Sequence, residues 1–197
     1  MSVFKDVPLA PPNSILGLGK DCAEDPCEQK INLTIGAYRT NEGKPCVMDC
    51  VRIAEERILA SKRNHEYLNQ DGIGDFVSAT QKLMFGDEAP LLAEGRVQSI
   101  QTVAGTGGLR LAMDFMYNNM GDRQMFLPDK TWPNHHVLTK AAGFELRSYK
   151  YLDNTGCGLD FAGMLASFEA MPEGSIVLLH CCAHNPTGVD PTEDQWR

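Results

Sequence analysis

An alternation between two hydrophobic periods runs through the second half of the chain and limits it to one class of fold. Short β-rich or continuously apolar segments at 97–103, 125–127, 144–152 and 175–182 are separated by stretches whose apolar residues recur at helical spacing. The last of these segments is nearly all apolar, as is typical of a strand buried on both faces. Strands that alternate with helices predict an α/β layer fold with a mainly parallel sheet.

Local signals predict further elements along the chain. Ile31, Leu33 and Ile35 alternate and predict a short strand, and apolar spacing predicts a helix over about 48–60. A second helix is predicted to end at Gly86, which can serve as its C-cap. Downstream, Asp160 is expected to cap a helix. Near the end of the sequence, Thr192 and Gln195 have the spacing of a capping box.

Composition excludes several classes of protein. The 197 residues carry a formal net charge of −8, which disfavours nucleic acid as a partner. We expect no membrane partner, since no apolar stretch approaches the length of a membrane span, and the start resembles neither a signal peptide nor an import sequence. Seven scattered cysteines, an odd number, are typical of free thiols in a reducing compartment. We therefore expect a cytoplasmic protein.

A glycine-rich segment, Ala104–Gly108, links the predicted strand 97–103 to a helix. Glycines allow close approach of a ligand, and free amides at a helix N-terminus favour an anion such as phosphate, with the Thr106 hydroxyl as a further donor. The alternative is a tight turn without a ligand. The segment is not a dinucleotide fingerprint, because Arg110 occupies the place of the last glycine, and it lacks the Gly-Lys-Ser/Thr ending of a Walker A loop.

Two other loops follow predicted strands, where α/β sheets bind ligands. Trp132 can stack on a flat ring or simply cover the edge of the core. Asn185, held extended by the following proline, can offer its amide to a ligand or can take part in an ordinary turn. The segment His180–His184 contains two cysteines, but we expect a core histidine and buried thiols rather than a metal site, since no second pair has ligand spacing. Tyr67 lies in a polar loop and can be a half-buried packing residue.

The order of these motifs carries a family resemblance over nearly the whole chain. Its segments are Ile35–Thr40 (IGAYRT), His65–Leu68 (HEYL), Gly105–Gly107 (GTG), Trp132–His135 (WPNH) and His184–Thr192 (HNPTGVDPT). The series resembles the class I, fold type I aminotransferases, and among them closely the aspartate aminotransferases. The resemblance implies a pyridoxal-phosphate enzyme with a mixed, mainly parallel sheet and helices on both faces, which is incomplete in this chain. We expect residues 1–47 to form an N-terminal arm and small-domain segment, and 48–197 the N-terminal part of the cofactor-binding large domain.

The resemblance also implies roles for the cofactor-binding residues. Gly105 and Thr106 would bind the phosphate group of pyridoxal phosphate, and Trp132 would stack on its ring. Asn185 would bond the phenolic oxygen of the ring. His135 would lie behind the ring, in the network that supports the aspartate paired with the ring nitrogen.

Two further residues would act at a distance from this group. Gly36 would lie beside the substrate α-carboxylate, and Trp132 and Asn185 would also contact the substrate. Tyr67 would reach the phosphate of the other subunit of a homodimer. The reaction implied is transfer of an amino group between L-aspartate and 2-oxoglutarate, giving oxaloacetate and L-glutamate.

The resemblance places other parts of the site beyond Arg197, among them the Schiff-base lysine and the arginines that bind the substrate carboxylates. We therefore expect the natural protein to continue and this chain alone to be inactive. Ala104 stands where the family usually has a serine, which removes one phosphate contact. An alternative is a non-catalytic short isoform that pairs with full-length subunits. A nucleotide-binding module is a third interpretation, but it leaves Trp132 and Asn185 without a role.

Overall fold

The protein is described by a computed structural model over residues 3–9, 14–121 and 123–197, and it forms two compact units, Met1–Glu66 and Tyr67–Arg197. Residues 1, 2 and 10–13, part of the expected N-terminal arm, lie outside the described residues. The expected boundary between residues 47 and 48 stays a prediction.

The described residues of the first unit contain two helices, α1 (Ser14–Glu24) and α2 (Asp49–Ala60). Helix α2 confirms the helix predicted over about 48–60. The predicted strand at 31–35 is wrong, because this segment has no strand structure and Ile31 is 81 % exposed. An alternating segment forms a strand only where a neighbouring strand accepts its hydrogen bonds, and the described part of this unit offers none.

The second unit alternates helices with three strands. Its elements are α3 (Gly74–Phe85), α4 (Pro90–Ala93), α5 (Ala104–Asn119), β1 (Gln124–Pro128), α6 (Pro133–Ala142), β2 (Glu145–Tyr149), α7 (Phe161–Glu169), β3 (Ile176–Val177) and α8 (Glu193–Trp196). The strands form one sheet in the order β2-β1-β3, and both pairings are parallel. Phe126 of β1 is opposite Arg147 of β2 and Val177 of β3. The parallel α/β sheet predicted from the sequence is confirmed.

Strand β1 divides the core into two layers. Met125 and Leu127 point to one face, where they pack with Met113 of α5 and Ala142 of α6. Phe126 points to the other face and packs against a second cluster, which consists of Tyr149, Tyr151 and, from α7, Met164. The period of two along β1 therefore places helices on both faces of the sheet, as the resemblance implied.

The ends of the helices follow the predicted signals. Gly86 caps α3 with φ of 89°, and Gly143 ends α6 in the left-handed region with φ of 100°. The Asp160 side chain accepts a hydrogen bond from the Gly163 amide at the start of α7. Thr192 and Gln195 form both bonds of the predicted capping box.

Two predicted strands differ from the structure. Residues 97–103 form no strand, and the Gln101 amide donates instead to the carbonyl of Asp71 in a loop (2.9 Å). The apolar run at 175–182 is paired only at Ile176 and Val177, although the Leu178 amide still donates to Phe126 (2.9 Å). In both segments β-rich composition is present, but the described chain has no second neighbouring strand to extend the pairing.

Within the described ranges, no helix is both long and apolar enough to cross a membrane.

Replacing Leu127 by Ala tests the position of the core. Leu127 is fully buried, whereas Leu83 on α3 is 84 % exposed. We expect Leu127→Ala to lower the free energy of unfolding by about 2–5 kcal/mol, and Leu83→Ala to change it by less than about 0.5 kcal/mol. Urea unfolding followed by circular dichroism measures both values. Equal losses for the two variants would contradict the assignment of β1 to the core.

Candidate functional site

The parallel sheet brings two loops to the same edge. Parallel strands have their carboxyl ends on one side, and in α/β sheets ligands bind there. Trp132 follows the end of β1, and Asn185 follows the segment that β3 begins. Helix α5 ends shortly before β1 starts and packs on β1 through Met113, so we expect its N-terminus to face this edge as well. The topology thus predicts three of the motifs on one side of the sheet.

The hydroxyl of Thr131 joins the two loops. Its oxygen lies 2.7 Å from Nδ1 of His135 and 3.0 Å from Nε2 of His180. Thr131 and His135 are both buried, and the two imidazole rings meet edge to face at 5.0 Å. Sequence reasoning did not single out Thr131. Its only signal was its place between a strand end and Trp132.

Trp132 and Asn185 contact opposite ends of this group. Trp132 is half-buried and its ring meets that of His135 edge to face, at 5.4 Å between centroids. The backbone N–H of Asn185 donates to Nδ1 of His180 (3.2 Å), and Asn185 is exposed. The peptide bond between Asn185 and Pro186 is cis. The structure therefore brings together Trp132, His135 and Asn185 through His180, which the sequence had suggested only as a core histidine.

The loop that carries Asn185 is held by a stack of rings and by one carboxylate. His184 lies between Tyr151 (3.7 Å) and His180 (4.0 Å), nearly parallel to both rings. The Asp190 carboxylate accepts hydrogen bonds from the amides of Ala183 (2.7 Å) and His184 (2.8 Å). These contacts fix the backbone on both sides of Asn185.

The predicted burial of the two thiols in this segment is wrong. Cys181 and Cys182 are exposed, because the chain bends at 181–183 instead of continuing the strand. Among the described residues, no group of three His, Cys, Asp or Glu side chains is arranged to hold a metal ion.

Burial keeps the three histidines neutral. Burial lowers the pKa of His135 to about 4, with smaller contributions from the nearby His180 and His136. Burial and then His180 lower the pKa of His184 to about 4, and burial also lowers the pKa of His180. The amides of His184 and Ala183 lower the pKa of the Asp190 carboxyl, which stays ionised. At neutral pH each imidazole therefore carries one proton.

Neutrality gives the hydrogen bonds a direction. His180 accepts at Nδ1, because the backbone N–H of Asn185 can only donate. The proton of His180 is therefore on Nε2 and is donated to the Thr131 hydroxyl. The Thr131 hydroxyl is then free to donate to Nδ1 of His135, and with this bond the His135 proton is on Nε2. The chain of bonds thus ends in an N–H donor on His135.

The start of α5 offers donors for an anion. The Gly107 amide bonds to Val103 (3.1 Å), so the amides of Ala104, Gly105 and Thr106 precede the first bond of the helix. All three residues are exposed. A Cβ atom placed on Gly105 would meet no atom within 4 Å, so the backbone there is open to a ligand. Ala104 has φ of 52°, a conformation that is uncommon for a residue with a side chain and that occurs at ligand sites.

These donors fit a phosphorylated aromatic ring. Free amides and the Thr106 hydroxyl at the N-terminus of a 16-residue helix suit a phosphate group. An indole and a carboxamide on the same edge suit a flat, polar ring. The residues present are therefore compatible with a cofactor of that kind.

The described contacts do not test the roles predicted for Tyr67 and Gly36. Tyr67 is fully exposed, which does not fit the alternative of a half-buried packing residue. Gly36 belongs to the first compact unit, whereas the other residues belong to the second. The roles that the resemblance implied for Tyr67 and Gly36 stay predictions, as do those of the residues on the sheet edge.

Comparison with known proteins decides the family. The family "Aminotransferase class I and II" matches residues 28–197. The chain belongs to the class I and II aminotransferases. The family and the fold type predicted from the sequence are confirmed, and enzymes of this family depend on pyridoxal phosphate.

Named relatives show how much of the family this chain represents. It is 45 % identical to the cytoplasmic aspartate aminotransferase of Oryza sativa subsp. japonica over 99 % of this chain and 48 % of the relative. The mitochondrial aspartate aminotransferase of Dictyostelium discoideum is 42 % identical, over 98 % of this chain and 46 % of the relative. The chain thus spans about half the length of the curated relatives it matches.

A solved aminotransferase shares the fold. The structure of the aromatic-amino-acid aminotransferase from Burkholderia pseudomallei, covalently bound to pyridoxal phosphate, superposes with a TM-score of 0.93. It is 40 % identical and aligns over 100 % of this chain and 49 % of that one. Relatives named for aspartate and for aromatic substrates therefore share this half of the fold.

The lowered histidine pKa values predict how the fold responds to acid. The unfolded chain binds protons to these histidines below about pH 6.5, whereas folded His135 and His184 resist protonation until about pH 4. The unfolded state therefore binds more protons, and stability falls as pH is lowered from 6.5 toward 4. NMR titration should show no protonation of His135 or His184 above about pH 5. Either ring titrating near pH 6.5 in the folded chain would contradict this description of the site.

Proposed function

We propose that this chain is the N-terminal part of an enzyme that transfers an amino group between L-aspartate and 2-oxoglutarate, giving oxaloacetate and L-glutamate, with pyridoxal phosphate as cofactor. The observation that carries the proposal is the contact series from Trp132 through His135 and His180 to Asn185 at the carboxyl edge of the sheet. The identity to aspartate aminotransferases supports the choice of aspartate.

The residues on this edge divide the work of binding. The amides of Gly105 and Thr106, with the Thr106 hydroxyl, bind the phosphate group. Trp132 covers one face of the ring, and the Asn185 carboxamide bonds its phenolic oxygen. The cofactor, when bound, supplies the electron sink for the reaction. The protein contributes orientation and electrostatics, and Trp132 and Asn185 also border the substrate.

His135 contributes a fixed proton. Because the hydrogen bonds run from the Asn185 amide to His135, its Nε2–H can only donate. A neutral donor there keeps a nearby carboxylate ionised by bonding to its charged form. In this proposal that carboxylate is the aspartate that pairs with the ring nitrogen. Thr131 and His180 act through His135 and hold its proton in place.

The remaining roles concern the whole protein. We propose a homodimer in which the exposed Tyr67 reaches the phosphate of the other subunit, and a position for Gly36 beside the substrate carboxylate. We also propose that residues 1–47 form the arm and small-domain segment and 48–197 the start of the large domain. The free cysteines support a cytoplasmic location, although cytoplasmic and mitochondrial aminotransferases are both similar to this chain.

Activity of the protein isolated from its natural source tests the proposal. Transfer from L-aspartate to 2-oxoglutarate is measured as oxaloacetate, coupled to NADH oxidation by malate dehydrogenase. We expect Asn185→Ala to lower kcat/KM by about 10- to 100-fold, as loss of a hydrogen bond to a charged group of about 1.5–3 kcal/mol requires. Asn118→Ala is the matched control, since Asn118 bonds only to a backbone carbonyl of α5 among the contacts described.

Two outcomes would contradict the proposal. One is a natural protein that binds pyridoxal phosphate but transfers no amino group from aspartate. The other is turnover by the purified 197-residue chain, which we expect to be inactive because the resemblance assigns the cofactor-linking lysine to the half of the family that this chain does not match. A natural protein of 197 residues that only pairs with longer subunits would favour the non-catalytic alternative.

Restoring the serine that the family usually has tests the phosphate site. Ala104→Ser adds a hydroxyl beside the amides of Gly105 and Thr106, and the backbone strain at φ of 52° is unchanged. We expect pyridoxal phosphate to bind about 5-fold more tightly, corresponding to one hydrogen bond of about 1 kcal/mol. Calorimetry on the purified chain measures the affinity. Ala112→Ser, an exposed position later in α5, is the control and should leave the affinity unchanged. An equal effect of both substitutions would place the phosphate elsewhere.

A further inference from the structure

Two buried side-chain atoms have no hydrogen-bond partner in the part of the chain that the structure describes. They are Oδ1 of Asp129 and Nε2 of His184. His184 is only 2 % exposed, so solvent does not replace a partner for its ring. Native proteins seldom leave such atoms unpaired, because each loses its bonds to water on folding. Both atoms belong to the loops that Thr131 joins, which suggests a common explanation.

The two atoms have complementary chemistry. A carboxylate oxygen is an acceptor. Thr187 Oγ1 accepts from the Val189 amide (3.2 Å) and lies 2.8 Å from Nδ1 of His184, to which its hydroxyl can donate or from which it can accept. When the hydroxyl donates, the single proton of neutral His184 is on Nε2. The unpaired nitrogen is then a donor, and the unpaired oxygen is an acceptor.

A series of contacts links the two residues. The Asp129 amide donates to the carbonyl of Tyr149 (2.9 Å), and the Tyr149 ring meets that of Tyr151 at 6.5 Å. Tyr151 in turn stacks on His184 at 3.7 Å. Burial and nearby His180 lower the pKa of His184, and the Asp190 carboxylate, with a smaller effect of the Asp129 carboxylate, opposes this lowering. Even so, no direct hydrogen bond joins the two atoms.

We propose that one buried water bridges Nε2 of His184 and Oδ1 of Asp129, and that Asp129 is thereby a positioning residue for Asn185. A water accepts from the N–H and donates to the carboxylate, which satisfies both atoms, and buried waters typically occupy such polar sites. The bridge ties the loop after β1 to the loop after β3 at a second point, separate from Thr131. Asn185, the next residue after His184, is then held from both sides.

The functional importance of positioning Asn185 rests on the proposed function, whereas the water bridge does not. The hydrogen bond itself needs neither cofactor nor substrate, so it is tested on the purified chain. A protein that fails to transfer amino groups but has the bridge would refute the proposed function alone. A protein that transfers amino groups but lacks the bridge would refute the bridge alone.

The proton position on His184 is the direct readout. Long-range ¹H–¹⁵N NMR on chain labelled with ¹⁵N-histidine distinguishes the two ring nitrogens, and the sequence contains only five histidines. In the unsubstituted chain we expect the proton on Nε2. Asp129→Leu removes the acceptor, so the proton should move to Nδ1, where Thr187 Oγ1 can accept it.

Two controls separate this effect from general damage. Asp129→Asn keeps an acceptor oxygen and should keep the proton on Nε2. Lys150→Ala removes the ion-pair partner of Asp129, whose Nζ lies 3.8 Å from Oδ2, and should also leave the proton on Nε2. A purely structural role for Asp129 would lower stability in Asp129→Leu without moving the proton.

A proton on Nδ1 in the unsubstituted chain would overturn the proposal, as would an unchanged position in folded Asp129→Leu. If Asp129→Leu does not fold, a crystal structure of the unsubstituted chain decides. It should show a water within about 3.2 Å of both atoms. The absence of a shared water at that position would overturn the bridge.

Discussion

The parallel pairing of β1 with both β2 and β3 determines where the other parts of the second unit lie. It places alternate side chains of β1 in two separate apolar layers, so that α5 and α6 cover one face and α7 the other. It also brings the loops after β1 and β3 to the same edge, where Thr131 can bond to His180. Without this pairing, Trp132 and Asn185, which are far apart in sequence, would have no common surface.

Electrostatics at this edge depend on neutral histidines. Three imidazoles packed together could not all be charged, and burial keeps them uncharged at neutral pH. Each then has one donor and one acceptor, which converts a cluster of rings into a directed series of hydrogen bonds ending at His135. Asp190 is the complementary charged group, and its ionised carboxylate is stabilised mainly by two backbone amides. Positions of protons in this site are thus a consequence of packing.

Patterns local in sequence predicted much of the fold. The caps at Gly86, Asp160 and Thr192 depend on neighbouring residues, and each agrees with the structure. Strand formation depends on a partner strand that is distant in sequence. The composition of segments 31–35 and 97–103 is β-rich, but it does not show whether a partner is present, and neither segment forms a strand.

The site was partly predictable for the same reason. The order of short motifs indicated Trp132, His135 and Asn185, and the structure brings these three together. Thr131 and the orientation of His180 could not be predicted, because they act through contacts between loops that are 49 residues apart. The exposure of Cys181 and Cys182 depends on a bend after β3, for which the apolar run gave no signal.

The most direct test of the central claim is a crystal structure of the protein, in the length that its relatives have, with pyridoxal phosphate bound. We expect the phosphate to lie within hydrogen-bonding distance, about 2.7–3.2 Å, of the amides of Gly105 and Thr106, with the ring against Trp132 and its phenolic oxygen at Asn185. A cofactor bound away from the carboxyl edge of β1 and β3, or an edge that stays empty at saturating cofactor, would contradict it.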